Sequence, residues 1–101
     1  MLRINTEVAR RLSKDMVGRT HWARRLRDQT QLPIYLIDLG DRLPAKDESG
    51  NLCEAYTSVF WIGHARCFSV TPRHEIERDG LEARLRQDES ALASVGFELL
   101  D

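Results

Sequence analysis

Four side chains in this sequence have the chemistry to hold a transition metal: Cys53, His64, Cys67 and His74. Zinc takes thiolate and imidazole ligands tetrahedrally, with pairs of ligands close together in the chain. The spacing here is C-x10-H-x2-C-x6-H, which matches no standard zinc finger. His64 and Cys67 also diverge if a turn runs into a strand between them. The residues therefore predict two free thiols and two surface histidines, with no metal and no other cofactor. Cys67, in an apolar strand, is expected to be an inert thiol, because a thiolate needs a polar or cationic setting.

Two acids sit where apolar residues would be expected. Asp38 interrupts the run IYLIDLG, and Asp88 shares a helical face with Leu81, Leu85, Leu92 and Val95. A carboxylate in such a place must be paired, partly exposed or shifted in its pKa. The expected partner of each is an arginine; for Asp88 the alternative is a kink near residues 87–90 that turns it outward. Neither acid has a second residue placed beside it for acid–base work. No G-x-S-x-G, phosphate-binding loop or dinucleotide fingerprint occurs. A small enzyme built on an Asp/His or Cys/His set thus ranks third, behind two binding functions.

The densest charge lies in EVARRLSKDMVGRTHWARRLRD, residues 7–28, with seven basic and three acidic side chains. Residues 1–31 carry eight basic and three acidic groups, whereas the whole chain has a net charge of −1. Read as two helices, the stretch pairs Glu7–Arg11–Asp15 and Arg24–Asp28 at i, i+4 spacing. Arg10, Lys14, Arg19, Arg25 and Arg27 stay free, and would be the phosphate contacts of a nucleic-acid-binding regulator. The same residues equally describe the wet side of two amphipathic helices.

The elements that must position these residues follow from periodicity. Asn5 or Thr6 caps a helix with Val8, Ala9, Leu12 and Met16 on one stripe, ended by Gly18. Thr20 caps a second helix, with Trp22, Ala23 and Leu26 inward, ended by Pro33. Residues 34–40 read as a strand. CEAYTSVFWI and ARCFSVT read as two more, joined at Gly63-His64 in a type II′ hairpin. That turn pairs Ile62 with Ala65, Trp61 with Arg66, Phe60 with Cys67 and Val59 with Phe68, and Pro72 closes the ladder. Asp79 and Glu82 read as a capping box of a C-terminal helix ended by Gly96, and FELL as a short edge strand.

The predicted fold is α+β, one domain over 1–101: two N-terminal helices, a three-stranded, mostly antiparallel sheet, one C-terminal helix and a short final strand. The strands are apolar on both sides, so both sheet faces need cover. If part of the second face is left open, Tyr56, Phe60 and Ile62 are its contact residues. The leading expectation is a non-enzymatic protein-interaction module of the inhibitor, immunity or adaptor kind, binding another protein chain or a second copy of itself. No apolar run is long enough to span a bilayer, and a cytoplasmic location is expected.

Overall fold

The computed structural model of the protein describes residues 2–100. In chain order the elements are β1 (Arg3–Ile4), α1 (Thr6–Ser13), β2 (Arg19–Arg25), β3 (Gln31–Gly40), β4 (Ala45–Lys46), β5 (Leu52–Cys53), β6 (Ala55–Ile62), β7 (Ala65–Pro72), α2 (Arg73–Asp79), α3 (Leu81–Ser94) and β8 (Phe97–Leu99). The class is α+β. A five-stranded sheet has the order β7-β6-β3-β2-β8, all antiparallel, and a small three-stranded sheet has the order β1-β4-β5. Among the described residues no helix is long and apolar enough to cross a membrane.

The hairpin at Gly63-His64 forms in the expected register, with Ile62 opposite Ala65 and Phe60 opposite Cys67. Gly63 has φ +61 and His64 does not have a positive φ, the combination a type II′ turn requires. β7 ends at Pro72, which has no N–H to donate to a further rung. FELL supplies the edge strand β8, paired with β2 through Ala23–Leu99, Arg24–Glu98 and Arg25–Phe97.

The second N-terminal helix does not exist. Residues 19–25 form β2, paired with β3 from Arg19–Leu36 to Arg24–Gln31. Thr20, His21 and Trp22 have weak helix preference, and pairing with β3 outweighs a short amphipathic stripe. Pro33 therefore ends no helix; it lies inside β3, opposite Trp22. Its ring is tolerated because the missing N–H would point past the end of β6, whose last partner on β3 is Trp61 opposite Tyr35. The sheet thus has five strands where three were expected.

Each face of the sheet has its own core. On one, Ile37, Leu39 and Val59 pack with Leu43 and with Ala9 of α1. On the other, Ala23, Ile34, Phe60 and Cys67 pack under Leu92 of α3. α1 is shorter than expected: Asn5 caps it, accepting from the Val8 N–H at 3.1 Å, and it ends at Ser13 instead of running to Gly18. Gly80, at φ +67, separates α2 from α3, so the Asp79–Glu82 capping box is not made. Asp79 instead accepts from Arg78 and Arg86.

The turn makes the hairpin depend on glycine. A side chain at φ +61 costs on the order of 1–3 kcal/mol, even where, as at Gly63, a Cβ would meet open space. Gly63→Val should lower unfolding free energy by about that amount in urea titration, without changing the slope; an unchanged midpoint would show that the turn does not need glycine.

Candidate interaction surfaces

α3 is held to the sheet partly by charge. Arg84 donates to both Asp38 oxygens at 3.0 Å and to Ser58 Oγ at 2.8 Å. Asp38 thus has the arginine partner the sequence requires, and its Oδ1 also accepts the Gly40 N–H at 2.8 Å across a bulge in β3. Burial alone would raise the Asp38 carboxyl, but the hydrogen bonds from Arg84 and Gly40 outweigh it and hold it below its ordinary value.

This pairing sets which side of α3 faces inward. Ala83 and Leu92 are buried, whereas Leu81 and Leu85 are 79% and 46% exposed. Leu81, Leu85 and Val95 of the expected stripe are therefore turned outward, while Leu92 stays inward. The inward side combines Ala83, Arg84, Asp88, Ala91 and Leu92, and alternating leucines do not dictate it.

Asp88 stays on that inward side, and α3 continues past it to Ser94 without the expected outward turn. Its Oδ1 is buried and accepts no hydrogen bond among the described residues. Burial pushes its carboxyl up; Ser69 and Arg84 pull the other way, and Asp38 adds to the rise. A carboxyl raised in the folded state binds its proton more tightly there. It therefore favours folding below the unfolded value, and that contribution is lost as pH rises through the folded one. Asp88→Asn is expected to melt at a higher temperature than the parent at pH 7, the gain shrinking as pH falls toward the ordinary value of 3.8. An equal difference at both pH values would mean that the charge of Asp88 is not what matters.

The metal-capable residues are dispersed. Cys53 lies in the small sheet, His64 in the hairpin turn and His74 on α2. Cys67 is buried under α3, donating to the Ala91 carbonyl at 3.4 Å. Burial, and to a lesser degree Asp88, push its thiol up, away from the thiolate. Among the described residues no three His, Cys, Asp or Glu side chains come together.

The five cations proposed for phosphate contact do not share a surface. Arg10 and Lys14 lie on and just after α1, on the sheet face that carries Ile37. Arg19 and Arg25 project from β2 to the opposite face, being paired with Leu36 and Phe97 of the α3-side core. Arg27 is in the β2–β3 turn. Arg25 is also far from free: it binds Asp28 at 3.0, 3.1 and 2.7 Å, which holds the Asp28 carboxyl well below the usual range. Arg24, expected on Asp28, reaches Glu98 of β8 at 3.5 Å instead. Helical spacing and strand alternation select different neighbours, and the strand decides here.

Phe60 is 1% exposed beneath α3, so it supplies core rather than contact area. Ile62 is half-buried in the same core. Tyr56 carries the Arg84 guanidinium 5.8 Å from its ring centre and lines a 350 Å³ cavity with Arg42, Cys53 and Arg73. The second face is covered, and the exposed grease lies on the first.

There, Ile37, Leu39 and Val59 are buried with Ala9 of α1, and Trp61 and Phe68 pack partly against them. Toward the Gly63 turn the face is open, and β2, β3 and β6 place Trp22, Tyr35 and Trp61 on it. Trp22 and Tyr35 are each 51% exposed. Arg66 lies flat on Trp61, 3.0 Å from the ring centre, and is fixed by bonds to the Gly63 and Ala65 carbonyls. A helix capped by Thr20 and ended by Pro33 would scatter this group; the alternation Thr20-Trp22-Arg24 is the strand signal for it.

A second feature is the free edge of β7. In a two-residue hairpin the residues flanking the turn exchange both hydrogen bonds, and the pattern alternates from there. Ala65, Cys67, Ser69 and Thr71 thus face β6, while Arg66, Phe68 and Val70 turn their N–H and C=O groups outward. A 510 Å³ groove runs along this edge, lined by Phe68 and Val70 and by Gln87, Ser90 and Ser94 of α3. The opposite edge of the sheet is the three-residue β8.

Compared with known proteins, the chain matches no family model, no curated protein and no solved structure.

Proposed function

We propose that the protein is a non-enzymatic interaction module that binds another protein chain by strand addition at β7. The observation that carries this reading is the eight-residue edge strand with its groove. Long free edges are ordinarily blunted by lysine, proline or a covering loop. β7 contains no lysine, and its one proline is its last residue. Its outward backbone groups offer what an added strand needs, and Phe68 and Val70 give that strand side chains to pack on.

A second copy of the chain is the partner this edge fits best. Antiparallel pairing about Phe68 sets it opposite Phe68 of the partner subunit, and Arg66 opposite Val70 of the partner subunit. Cys67, itself buried under α3, lies in register with Ser69 of the partner subunit. No like charges oppose one another along the strand, as an isologous interface requires. The flanking Ser90, Ala91 and Ser94 are small enough for two helices to approach.

Val70→Pro discriminates, because it removes an outward donor and leaves the bonds to β6 intact. In sedimentation velocity over a wide concentration range the parent should dimerise reversibly, and Val70→Pro should stay monomeric with its circular dichroism unchanged. A parent that is monomeric throughout, or a proline variant that dimerises equally well, would contradict self-pairing at this edge.

A further inference from the structure

The open half of the α1-side face has a chemistry that strand addition does not use. From the turn end, the rows across β7, β6, β3 and β2 hold Arg66, Trp61, Tyr35 and Thr20, with Trp22 one step along β2. Tyr35 is directly opposite Trp61. Tyr35 and Trp22 are diagonal neighbours, about 7–8 Å apart by sheet geometry. These are flat groups side by side on one sheet face; Trp61 packs partly against the core beneath α1, whereas Tyr35 and Trp22 stand outside that core.

Arg66 extends the row. Stacked on Trp61 and held by two carbonyls, its guanidinium is fixed in place, and the residue is partly exposed. The surrounding charge is mainly positive. Arg10 of α1 is close enough to act on Arg66 and, after burial, to lower its pKa. Arg24 lies on the same face, paired with Glu98. A chain with a net charge of −1 has thus gathered three arginines around its exposed aromatics.

We infer that this face is a binding platform for single-stranded nucleic acid. Unpaired bases stack on aromatic rings and on guanidinium planes, while neighbouring arginines meet the phosphates. Charge complementarity selects this occupant: an apolar protein surface would leave Arg10 and Arg66 without counter-charge, whereas a phosphate backbone supplies it at each step. Duplexes are excluded as equal ligands, because their bases are already stacked on one another. The site differs from the helix-pair surface the sequence predicts; of those five cations it uses only Arg10.

Fluorescence anisotropy tests it with labelled oligothymidylate and oligouridylate of about ten nucleotides, a length within the usual single-strand site size, and with a duplex of equal length. The single strands should bind more tightly than the duplex, and added salt should weaken them by a log–log slope of about −0.7 per phosphate engaged. Trp22→Ala and Tyr35→Ala should each weaken binding roughly fivefold or more, Tyr35→Phe should retain it, and Arg66→Ala should weaken it and flatten the salt slope. These side chains are on the surface, so circular dichroism can establish that the variants fold. No single-strand binding at low salt overturns the inference, as does equal binding of duplex. Binding that survives both aromatic substitutions, or dimerisation lost on Trp22→Ala, overturns it too.

Discussion

The register of the β6–β7 hairpin is the constraint on which the rest of the molecule depends. Side chains alternate along a strand, so one slipped residue would exchange the two faces completely. The two-residue turn at Gly63-His64 removes that freedom. It sends Phe60 and Cys67 under α3 and Val59 and Phe68 under α1, and it leaves Trp61 with Arg66 at the open end. β3 and β2 then inherit the parity, because each pairs in register with its neighbour. The same parity governs the backbone, deciding which amides of β7 face β6 and which face outward.

Much of this was legible in the sequence, and for identifiable reasons. Gly63-His64 between two apolar runs encodes its own geometry locally, so turn, register and closing proline could all be read. Asn5 and the final FELL are similarly local signals. What was not legible was tertiary. RTHWARR has helical and strand periodicity at once, and only the unpaired edge of β3 decides between them. The helical reading of that stretch also hides the aromatic face, pairs Arg24 with Asp28 and leaves Arg25 free, whereas the strand gives Glu98 to Arg24 and Asp28 to Arg25.

α3 shows a different limit. Its leucines imply one inward side and its charges another, and the bidentate Arg84–Asp38 contact prevails. The price is an orphaned Asp88 oxygen under the helix and leucines in solvent. Sequence alone could flag Asp38 and Asp88 as anomalous, since acids on apolar stripes need partners. It could not say that one acid would take the arginine and the other would go without. Two surfaces remain outside these cores, an aromatic face and a strand edge, and both follow from where the helices stop. α1 ends after eight residues and leaves the turn end bare, and among the described strands none lies beyond β7.

The most direct test of this account is amide-resolved hydrogen exchange on the dilute chain. Cys67, Ser69 and Thr71 should be protected by β6, while Arg66, Phe68 and Val70 exchange rapidly. That alternation would establish the register and the free edge together. Uniform protection along β7 would mean that the edge is covered, and the opposite alternation would mean that the hairpin parity, and every face assigned from it, is wrong.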